Sequence, residues 1–241
     1  MNLTQSILSF FLPQVCFSCR AVQFYGDENP LCPLCTTGLK RLSDSLCEVC
    51  GDPFVHEEIA SHVCGECLKN PPPFEWARSV FVWGPILSPV IHAFKYGGNS
   101  ASLAWFQQEM AGCLKKNCPD FSFDFLIPLP LHLFRLWRRG YNQSVLLGRG
   151  IGKRLGIPLE LKSMVRTRSE TAQALKNREE RIRKIIGAFR LKNPERFKGK
   201  RVLLIDDVYT TGATLREAAK VLKKAGASVC ALTLARTPLL G

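Results

Sequence analysis

Short apolar runs alternate with longer amphipathic stretches after residue 73. Runs of continuous or alternating apolar residues indicate strands, and apolar residues three or four positions apart indicate helices. On this basis, strands are predicted at 76–83, 123–130, 158–165, 202–205 and 228–235, and helices at 85–96, 102–116, 143–155 and 172–185. Strands that alternate with helices form a parallel sheet covered by those helices, so the predicted fold class is α/β.

One segment joins the apolar run 202–205 to two adjacent carboxylates and a hydroxyl-rich turn. Asp206 and Asp207 follow the run directly, at the carboxyl edge of the predicted sheet, where open α/β folds bind ligands. The turn consists of Thr210, Thr211, Gly212, Ala213 and Thr214. Its hydroxyls and the helix that begins behind it suit a phosphate, whereas the carboxylates suit vicinal hydroxyls. The segment predicts a sugar-phosphate pocket; the alternative is a capped helix with two solvated aspartates.

Eight of the eleven cysteines form four Cys-x-x-Cys pairs. The pairs are Cys16/Cys19, Cys32/Cys35, Cys47/Cys50 and Cys64/Cys67. Each pair directs two thiolates at one point, and two pairs complete a tetrahedral zinc site, which favours zinc over disulfides. We expect the first four cysteines on one zinc ion and the last four on another, with an interleaved pairing as the alternative. His56 and His62 lie between the pairs and are expected at the surface.

Positive charge is concentrated in one segment. The net charge of the chain is +13, and residues 131–201 contain 20 lysines and arginines against 5 glutamates, a balance of +15. Arg135, Arg138 and Arg139 surround Trp137, which either stacks on an unpaired base or packs in the core. Arginine forks suit phosphate oxygens, so the segment predicts an anionic partner such as single-stranded DNA; a solvated cationic face is the alternative.

The residues 202–214 resemble the signature of phosphoribosyltransferases, in which hydrophobic residues, two acids and a Thr-x-Gly-x-Thr turn bind phosphoribosyl pyrophosphate. The resemblance implies that Asp206 and Asp207 bind the ribose hydroxyls, Asp207 with the help of magnesium. It also implies that the turn 210–214 wraps the 5′-phosphate.

Two basic loops match phosphoribosyltransferase loops by position. The loop with Arg139 and Gly140 corresponds to the one that holds pyrophosphate, and Arg139 would assist the departure of that group. The stretch 166–184 corresponds to the flexible loop that closes over the site. Gln173, Arg178 and Arg181 are weaker candidates there, and the two arginines are also candidate contacts for nucleic acid, as are Arg135, Trp137 and Arg138.

Taken together, several motifs resemble the ComF family of competence-associated proteins, which includes bacterial DNA-utilisation proteins. The motifs are the four cysteine pairs, Pro71-Pro72-Pro73 before Phe74, His92-Ala-Phe-Lys-Tyr-Gly, Ile127-Pro-Leu-Pro-Leu, Arg139-Gly-Tyr-Asn-Gln and the phosphoribosyltransferase signature. The family implies a type I phosphoribosyltransferase-like parallel sheet flanked by helices and preceded by a small zinc-ribbon module. The implied cofactors are two structural zinc ions, and magnesium with phosphoribosyl pyrophosphate.

The resemblance implies a role in DNA uptake, natural transformation or DNA utilisation. Its implied partners are phosphoribosyl pyrophosphate, single-stranded DNA and competence machinery such as a DNA translocase or a recombination loader. The alternative is a magnesium-dependent phosphoribosyltransferase of nucleotide salvage or biosynthesis that acts on a nucleobase or an amine. The residues leave open whether the protein is an enzyme.

The predicted division of the chain follows from these assignments. It comprises a terminal helix or tail at 1–14, a double zinc ribbon at 15–70, a proline hinge at 71–73, a hood at 74–120 and the phosphoribosyltransferase core at 121–241. Within the hood, His92, Lys95 and Tyr96 either face the pocket or merely close a helix. No apolar run near residue 7 is long enough to span a bilayer, and we expect a cytoplasmic protein, with peripheral association at the inner face of the membrane as a further option.

Overall fold

The computed structural model describes residues 14–23, 29–42, 45–54, 60–96, 102–167 and 185–238. In chain order the elements are β1 (Gln14–Val15), β2 (Val22–Gln23), α1 (Pro33–Gly38), α2 (Gly65–Lys69), β3 (Trp76–Val82), α3 (Leu87–Tyr96), α4 (Leu103–Asn117), β4 (Phe125–Pro128), α5 (Leu133–Arg139), α6 (Gln143–Leu155), β5 (Met164–Arg166), β6 (Phe189–Leu191), a 3-10 turn (Pro194–Phe197), β7 (Arg201–Tyr209), α7 (Ala213–Lys224) and β8 (Ser228–Arg236).

The centre of the fold is a four-stranded parallel sheet with the order β3-β8-β7-β4. The predicted α/β class is therefore confirmed. β7 lies inside the sheet and buries the apolar run 202–205 completely, as a strand covered on both faces must. Its carboxyl end brings Asp206 and Asp207 to the middle of the sheet edge.

The two faces of the sheet are covered by different helices. Alternate residues of β7 point to opposite faces: Leu203 and Ile205 join one apolar core, and Val202 and Leu204 join the other. The first core also contains the apolar sides of α3, α4 and α6. The second contains the apolar stripe of α7, so the sheet and its helices hold the hydroxyl-rich turn 210–214 on a rigid frame.

The cysteine-rich segment covers the free edge of β3. The Ala77 N–H donates to the Val49 carbonyl at 2.7 Å, and the Val82 N–H donates to the Lys40 carbonyl at 2.9 Å. These hydrogen bonds satisfy backbone N–H groups that would otherwise lack a partner at the edge of the sheet. The segment 74–120, for which a hood was predicted, contributes β3 to the main sheet and α4 to one of its faces.

The strand predicted at 158–165 is wrong. Only Leu159 forms a parallel bridge, to Leu126, and β5 then pairs antiparallel with β6 outside the main sheet. The cause is Glu160, whose Oε1 accepts the backbone N–H groups of Lys162 at 2.8 Å and Ser163 at 3.1 Å. A side chain that takes up successive backbone donors turns the chain and ends the pairing.

Residues 133–139, in the predicted loop with Arg139 and Gly140, form the helix α5. The His132 ring accepts the Phe134 N–H at 3.2 Å, and Gly140 ends the helix with a φ of 76°. The tail 1–13 and most of the helix predicted at 172–185 lie outside the described residues. Among the helices in the described ranges, none combines the length and hydrophobicity needed to cross a membrane.

Candidate functional site

The eight paired cysteines form two tetrads. They are Cys16, Cys19, Cys32 and Cys35 in the first tetrad, and Cys47, Cys50, Cys64 and Cys67 in the second. Zinc at its usual distance of about 2.3 Å from sulfur separates its four sulfurs by about 3.8 Å. The Sγ atoms of Cys19 and Cys32 lie 3.7 Å apart, and those of Cys50 and Cys64 lie 3.8 Å apart. Both tetrads therefore fit structural zinc, and consecutive pairs share a tetrad.

Backbone donors favour the thiolate form of one cysteine in the second tetrad, Cys47. The N–H groups of Cys50 and Cys64 donate to Cys47 Sγ at 3.4 and 3.3 Å. Burial opposes ionisation of the Cys47 thiol, yet these backbone donors lower its pKa to about 7. The thiolate is the form that binds zinc, so the local backbone favours the metal-binding form at Cys47, whereas burial raises the pKa of the Cys50 and Cys67 thiols.

Asp206 and Asp207 form a carboxylate pair at the end of β7. Asp206 Oδ1 accepts hydrogen bonds from Ser144 Oγ at 3.1 Å and from the Asp207 N–H at 2.9 Å. Burial, reinforced by the charge of Asp207, raises the pKa of Asp206 to about 7. Such a pair attracts cations and ligand hydroxyl groups, because either one relieves the repulsion between the two carboxylates.

A lysine from α3 already contacts this pair. Lys95 Nζ lies 2.9 Å from Asp207 Oδ2. The Lys95 carbonyl accepts a hydrogen bond from Gln143 Nε2 at 3.2 Å, which ties the end of α3 to the start of α6. Lys95 therefore faces the pocket, and the sequence signal for it was its place in the His92-Ala-Phe-Lys-Tyr-Gly motif.

The hydroxyl-rich turn lies beside the acid pair and leads into α7. Gly212 has a φ of 72°, and a side chain there would overlap the Tyr209 hydroxyl, so the turn requires glycine. Thr211 Oγ1 accepts the Ala213 N–H at 3.3 Å. Thr214, in the first turn of α7, lines the same pocket as the acid pair. The amide groups and dipole at the start of this helix favour an anion.

Arg139, next to Gly140, also lines this pocket. Its Nη1 donates to Gln143 Oε1 at 3.1 Å, and its Nη2 donates to Tyr96 Oη at 2.8 Å. Its Nε is buried and has no hydrogen-bond partner within the described ranges. Buried donors are nearly always satisfied, so this atom is suited to an anionic ligand.

Acidic, basic and hydroxyl groups meet in one pocket of about 150 Å³. Its polar lining includes Lys95, Arg135, Arg139, Ser144, Arg166, Asp206, Asp207 and Thr214. A larger cleft of about 370 Å³ lies beside α4, where Arg41 and Glu109 pair with each other at 2.5 Å. The smaller pocket contains the acid pair and Thr214 of the hydroxyl-rich turn, so it is the candidate ligand site.

The helix α5 has two different faces. Arg135 and Arg139 are four residues apart and line the pocket. Trp137 is 82 % exposed and Phe134 is 50 % exposed, and Arg138 is also exposed. Trp137 therefore does not pack in the core, and the helix presents rings and a positive charge to solvent.

The remaining candidates fall in two groups. Gln173, Arg178, Arg181 and His56 lie outside the described residues. Thr210 is exposed at the start of the turn, and His62 is exposed and stacks on Phe54 with ring centroids 4.1 Å apart. Sequence reasoning missed Ser144 and the contact of Lys95 with Asp207, because both depend on which helices approach the sheet edge.

Models of two protein families match this chain. The double zinc ribbon domain matches residues 7–68, and the phosphoribosyl transferase domain matches residues 142–238. The two matches cover the cysteine tetrads and the acid pair with its turn. They agree with the division of the described structure into a cysteine-rich segment and an α/β sheet.

Two relatives are similar over most of their length. The DNA utilization protein YhgH of Escherichia coli K12 is 31 % identical over 221 residues, which are 90 % of this chain and 94 % of that protein. Competence protein F of Haemophilus influenzae is 33 % identical over 224 residues, 88 % of this chain and 91 % of that protein. Among solved structures, adenine phosphoribosyltransferase from Saccharomyces cerevisiae covers 84 % of this chain and 86 % of its own, with 14 % identity and a TM-score of 0.36.

Proposed function

Because the chain belongs to the ComF family, we propose that it acts in DNA uptake or DNA utilisation and binds two anionic ligands. The first is phosphoribosyl pyrophosphate with magnesium, at the acid pair. The second is single-stranded DNA, on the exposed face of α5. A DNA translocase or a recombination loader is the expected protein partner.

The observation that carries the first part is the combination of groups that line one pocket. Phosphoribosyl pyrophosphate has a phosphate at one end, hydroxyls in the middle and a pyrophosphate at the other end. Thr214 of the hydroxyl-rich turn, the acid pair Asp206/Asp207 and Arg139 with its buried donor line the same pocket, so it contains a group suited to each of these parts. This combination supports binding of the donor more specifically than positive charge alone would.

The acid pair also fits magnesium, because carboxylate oxygens are the ligands that this ion prefers. Asp206 and Asp207 would hold the ion, whose charge would offset that of the phosphates. Lys95 Nζ supplies one positive charge to Asp207 at 2.9 Å. Lys95 therefore neutralises part of the acid pair when the ligand is absent.

The exposed face of α5 supports the second part. Aromatic rings stack on unpaired bases of any sequence, and arginines contact the phosphates between them. Trp137 and Phe134 supply the rings and Arg138 supplies the charge. The positive balance of +15 over residues 131–201 adds a long-range attraction for a nucleic acid.

Calorimetric titration of phosphoribosyl pyrophosphate and Mg²⁺ into the zinc-loaded protein tests the first part. We expect micromolar binding that is lost in the double variant Asp206→Asn/Asp207→Asn. Asp124→Asn is the matched control, since Asp124 accepts the Arg201 N–H at 2.8 Å and so lies at the opposite end of β7. Equal binding by the double variant and the wild type would contradict the assignment of the pocket.

Fluorescence anisotropy with a labelled single-stranded oligonucleotide tests the second part. Trp137→Ala should weaken binding by about 1–3 kcal/mol, the usual contribution of one base stacked on an aromatic ring. Leu133→Ala removes another exposed side chain of the same helix and should have little effect. Arg138→Glu should reduce the salt dependence by roughly one lost phosphate contact. Unchanged affinity in both Trp137→Ala and Arg138→Glu would place DNA elsewhere.

Whether the pocket supports a transfer reaction is a separate question. A phosphoribosyltransferase of salvage or biosynthesis would release pyrophosphate when a nucleobase or an amine is added to the loaded protein. We expect coupling of donor binding to DNA binding without this turnover. Release that depends on an acceptor and on Asp207 would establish the enzymatic alternative.

A further inference from the structure

A fully buried arginine links the second cysteine tetrad to the phosphate turn. Arg236 ends β8 and is 0 % exposed. Its Nε donates to Asp52 Oδ1 at 2.6 Å, and its Nη1 donates to the Cys50 carbonyl at 2.8 Å. A guanidinium is almost never buried completely unless it is paired, so these two contacts hold the side chain in place.

The other side of the same guanidinium contacts the residue before the turn. Arg236 lies 4.2 Å from the centroid of the Tyr209 ring, and the Thr237 N–H donates to the Tyr209 carbonyl at 2.9 Å. The Tyr209 ring edge and its hydroxyl in turn lie where a side chain at Gly212 would be. A continuous series of contacts therefore runs from Cys50 through Arg236 and Tyr209 to the middle of the turn.

A second link joins the same tetrad to the far side of the turn. Arg216, in the first turn of α7, donates from Nη1 to the Asn70 carbonyl at 2.8 Å. Asn70 ends α2, the helix that contains Cys67. Both flanks of the phosphate turn are thus attached to the segment that the second tetrad organises.

The segment that contains the first tetrad is attached to β3 and α4 rather than to the phosphate turn. The chain after α1 pairs with the end of β3 through the Lys40 carbonyl, and Arg41 pairs with Glu109 of α4. These contacts stabilise the edge and one face of the sheet. In the described residues they involve neither Tyr209 nor the turn, so the first tetrad provides an internal control.

We propose that Arg236 is a positioning residue that couples zinc in the second tetrad to the shape of the phosphate turn, and thereby to ligand affinity. Zinc fixes the Cys47–Cys50 knuckle, so its loss releases the Cys50 carbonyl from Arg236 and loosens the support of Tyr209. Thermodynamic linkage requires the reciprocal effect: a ligand on the turn must strengthen zinc binding in the second tetrad. The identity of this ligand rests on the function proposed above.

Amide hydrogen exchange tests the coupling without any ligand. Cys19→Ser and Cys64→Ser each remove one partly exposed sulfur from one tetrad, and both proteins are treated with a chelator until each holds one zinc per chain. We expect amides 209–216 to exchange at least tenfold faster in Cys64→Ser than in Cys19→Ser. Equal exchange rates would overturn the proposal.

Zinc release in the presence of a chromogenic chelator tests the reciprocal effect in the wild type. Phosphoribosyl pyrophosphate with Mg²⁺ should slow release from the second tetrad at least tenfold and leave the first tetrad unchanged, with the phases assigned by the two serine variants. Equal effects on both phases, or none on either, would overturn the proposal if calorimetry shows that the ligand binds. If calorimetry shows no binding, the proposed function fails, and the exchange experiment decides the coupling alone.

Substitution of Tyr209, in the middle of this series of contacts, distinguishes a positioning role from a general loss of stability. Tyr209→Leu removes the ring above Arg236 but leaves the Arg216–Asn70 contact in place, so it should reduce the effect of ligand on zinc release while both zinc ions remain bound. Tyr209→Phe keeps the ring and should retain the effect. If Tyr209→Leu retains two zinc ions and the ligand still slows zinc release as in the wild type, the coupling does not depend on the contact between Arg236 and Tyr209.

Discussion

Replacing Asp206 with asparagine is expected to stabilise the folded protein at neutral and alkaline pH while it removes donor binding. Burial and the adjacent charge of Asp207 raise the pKa of Asp206 to about 7, from an ordinary value of 3.8. A carboxylate with a raised pKa contributes stability that is present below the unfolded pKa and is lost as pH rises through the folded one. The wild type therefore loses stability between about pH 4 and pH 7, and the asparagine variant does not.

The size of the effect follows from the shift. Three pKa units at 1.36 kcal/mol each set an upper limit of about 4 kcal/mol for the cost of ionising Asp206 in the folded state. Between pH 6 and pH 8 a group with a pKa of about 7 releases most of its proton. The difference in unfolding free energy between variant and wild type should therefore grow by about 1.4 kcal/mol over that interval.

Equilibrium unfolding in urea at fixed zinc concentration, followed by tryptophan fluorescence, measures this difference at pH 6, 7 and 8. The cysteine tetrads are the same in both proteins, so their own pH dependence cancels. Asp124→Asn is the control: hydrogen bonds from Arg201 and Lys200 lower the pKa of Asp124, so its contribution is constant above pH 6. Parallel curves for Asp206→Asn and the wild type would refute a raised pKa at Asp206.

Three further outcomes test the pocket and the tetrads. Lys95→Met should shift the onset of donor binding to higher pH, because the Lys95 charge lowers the pKa of Asp206. Calorimetry from pH 6 to 9 measures this shift, and an unchanged pH profile would contradict a role of Lys95 in the ionisation of Asp206. Gly212→Ala should weaken donor binding at least tenfold in the same assay, since its φ of 72° and its contact with Tyr209 exclude a side chain, whereas Gly112→Ala, in open space on α4, should bind normally. Elemental analysis should find two zinc ions per chain, and fewer than one would contradict the two tetrads.

The sequence predicted best those elements whose pattern is local. The helix predicted at 143–155 has those bounds in the structure, and the strand and helix of the phosphoribosyltransferase signature are confirmed. In each case apolar spacing and the flanking residues agree with the final fold. The Cys-x-x-Cys pairs are equally local, because the backbone of each pair already directs its sulfurs to one point.

The elements that were predicted poorly depend on polar side chains that accept hydrogen bonds from backbone N–H groups. Glu160 turns the chain away from the sheet within a stretch that otherwise has the composition of a strand. His132 begins α5, a short helix in which every side chain is at least partly exposed. Neither hydrogen-bonding pattern leaves a periodic signal in the sequence, since one carboxylate or one imidazole determines the local backbone conformation.

The contacts that organise the site connect distant parts of the chain. Arg236 and Asp52 are 184 residues apart, and Ser144 and Asp206 are 62 residues apart. No local pattern could pair them, because their proximity depends on the strand order and on the docking of the cysteine-rich segment. The sequence could therefore identify the acid pair and the turn but not the groups that tune and support them.

The position of α5 gives the two proposed ligands a physical route to influence each other. The helix is seven residues long, and it presents Arg135 and Arg139 to the pocket and Trp137 to solvent. A DNA strand stacked on the outer face would restrict the same helix whose inner face would contact a bound pyrophosphate. Ordering of the helix by one ligand lowers the entropic cost of binding the other, so we expect positive coupling that requires no large conformational change. The sign would reverse only if DNA entered the pocket itself, because the two ligands would then compete for Arg135 and Arg139.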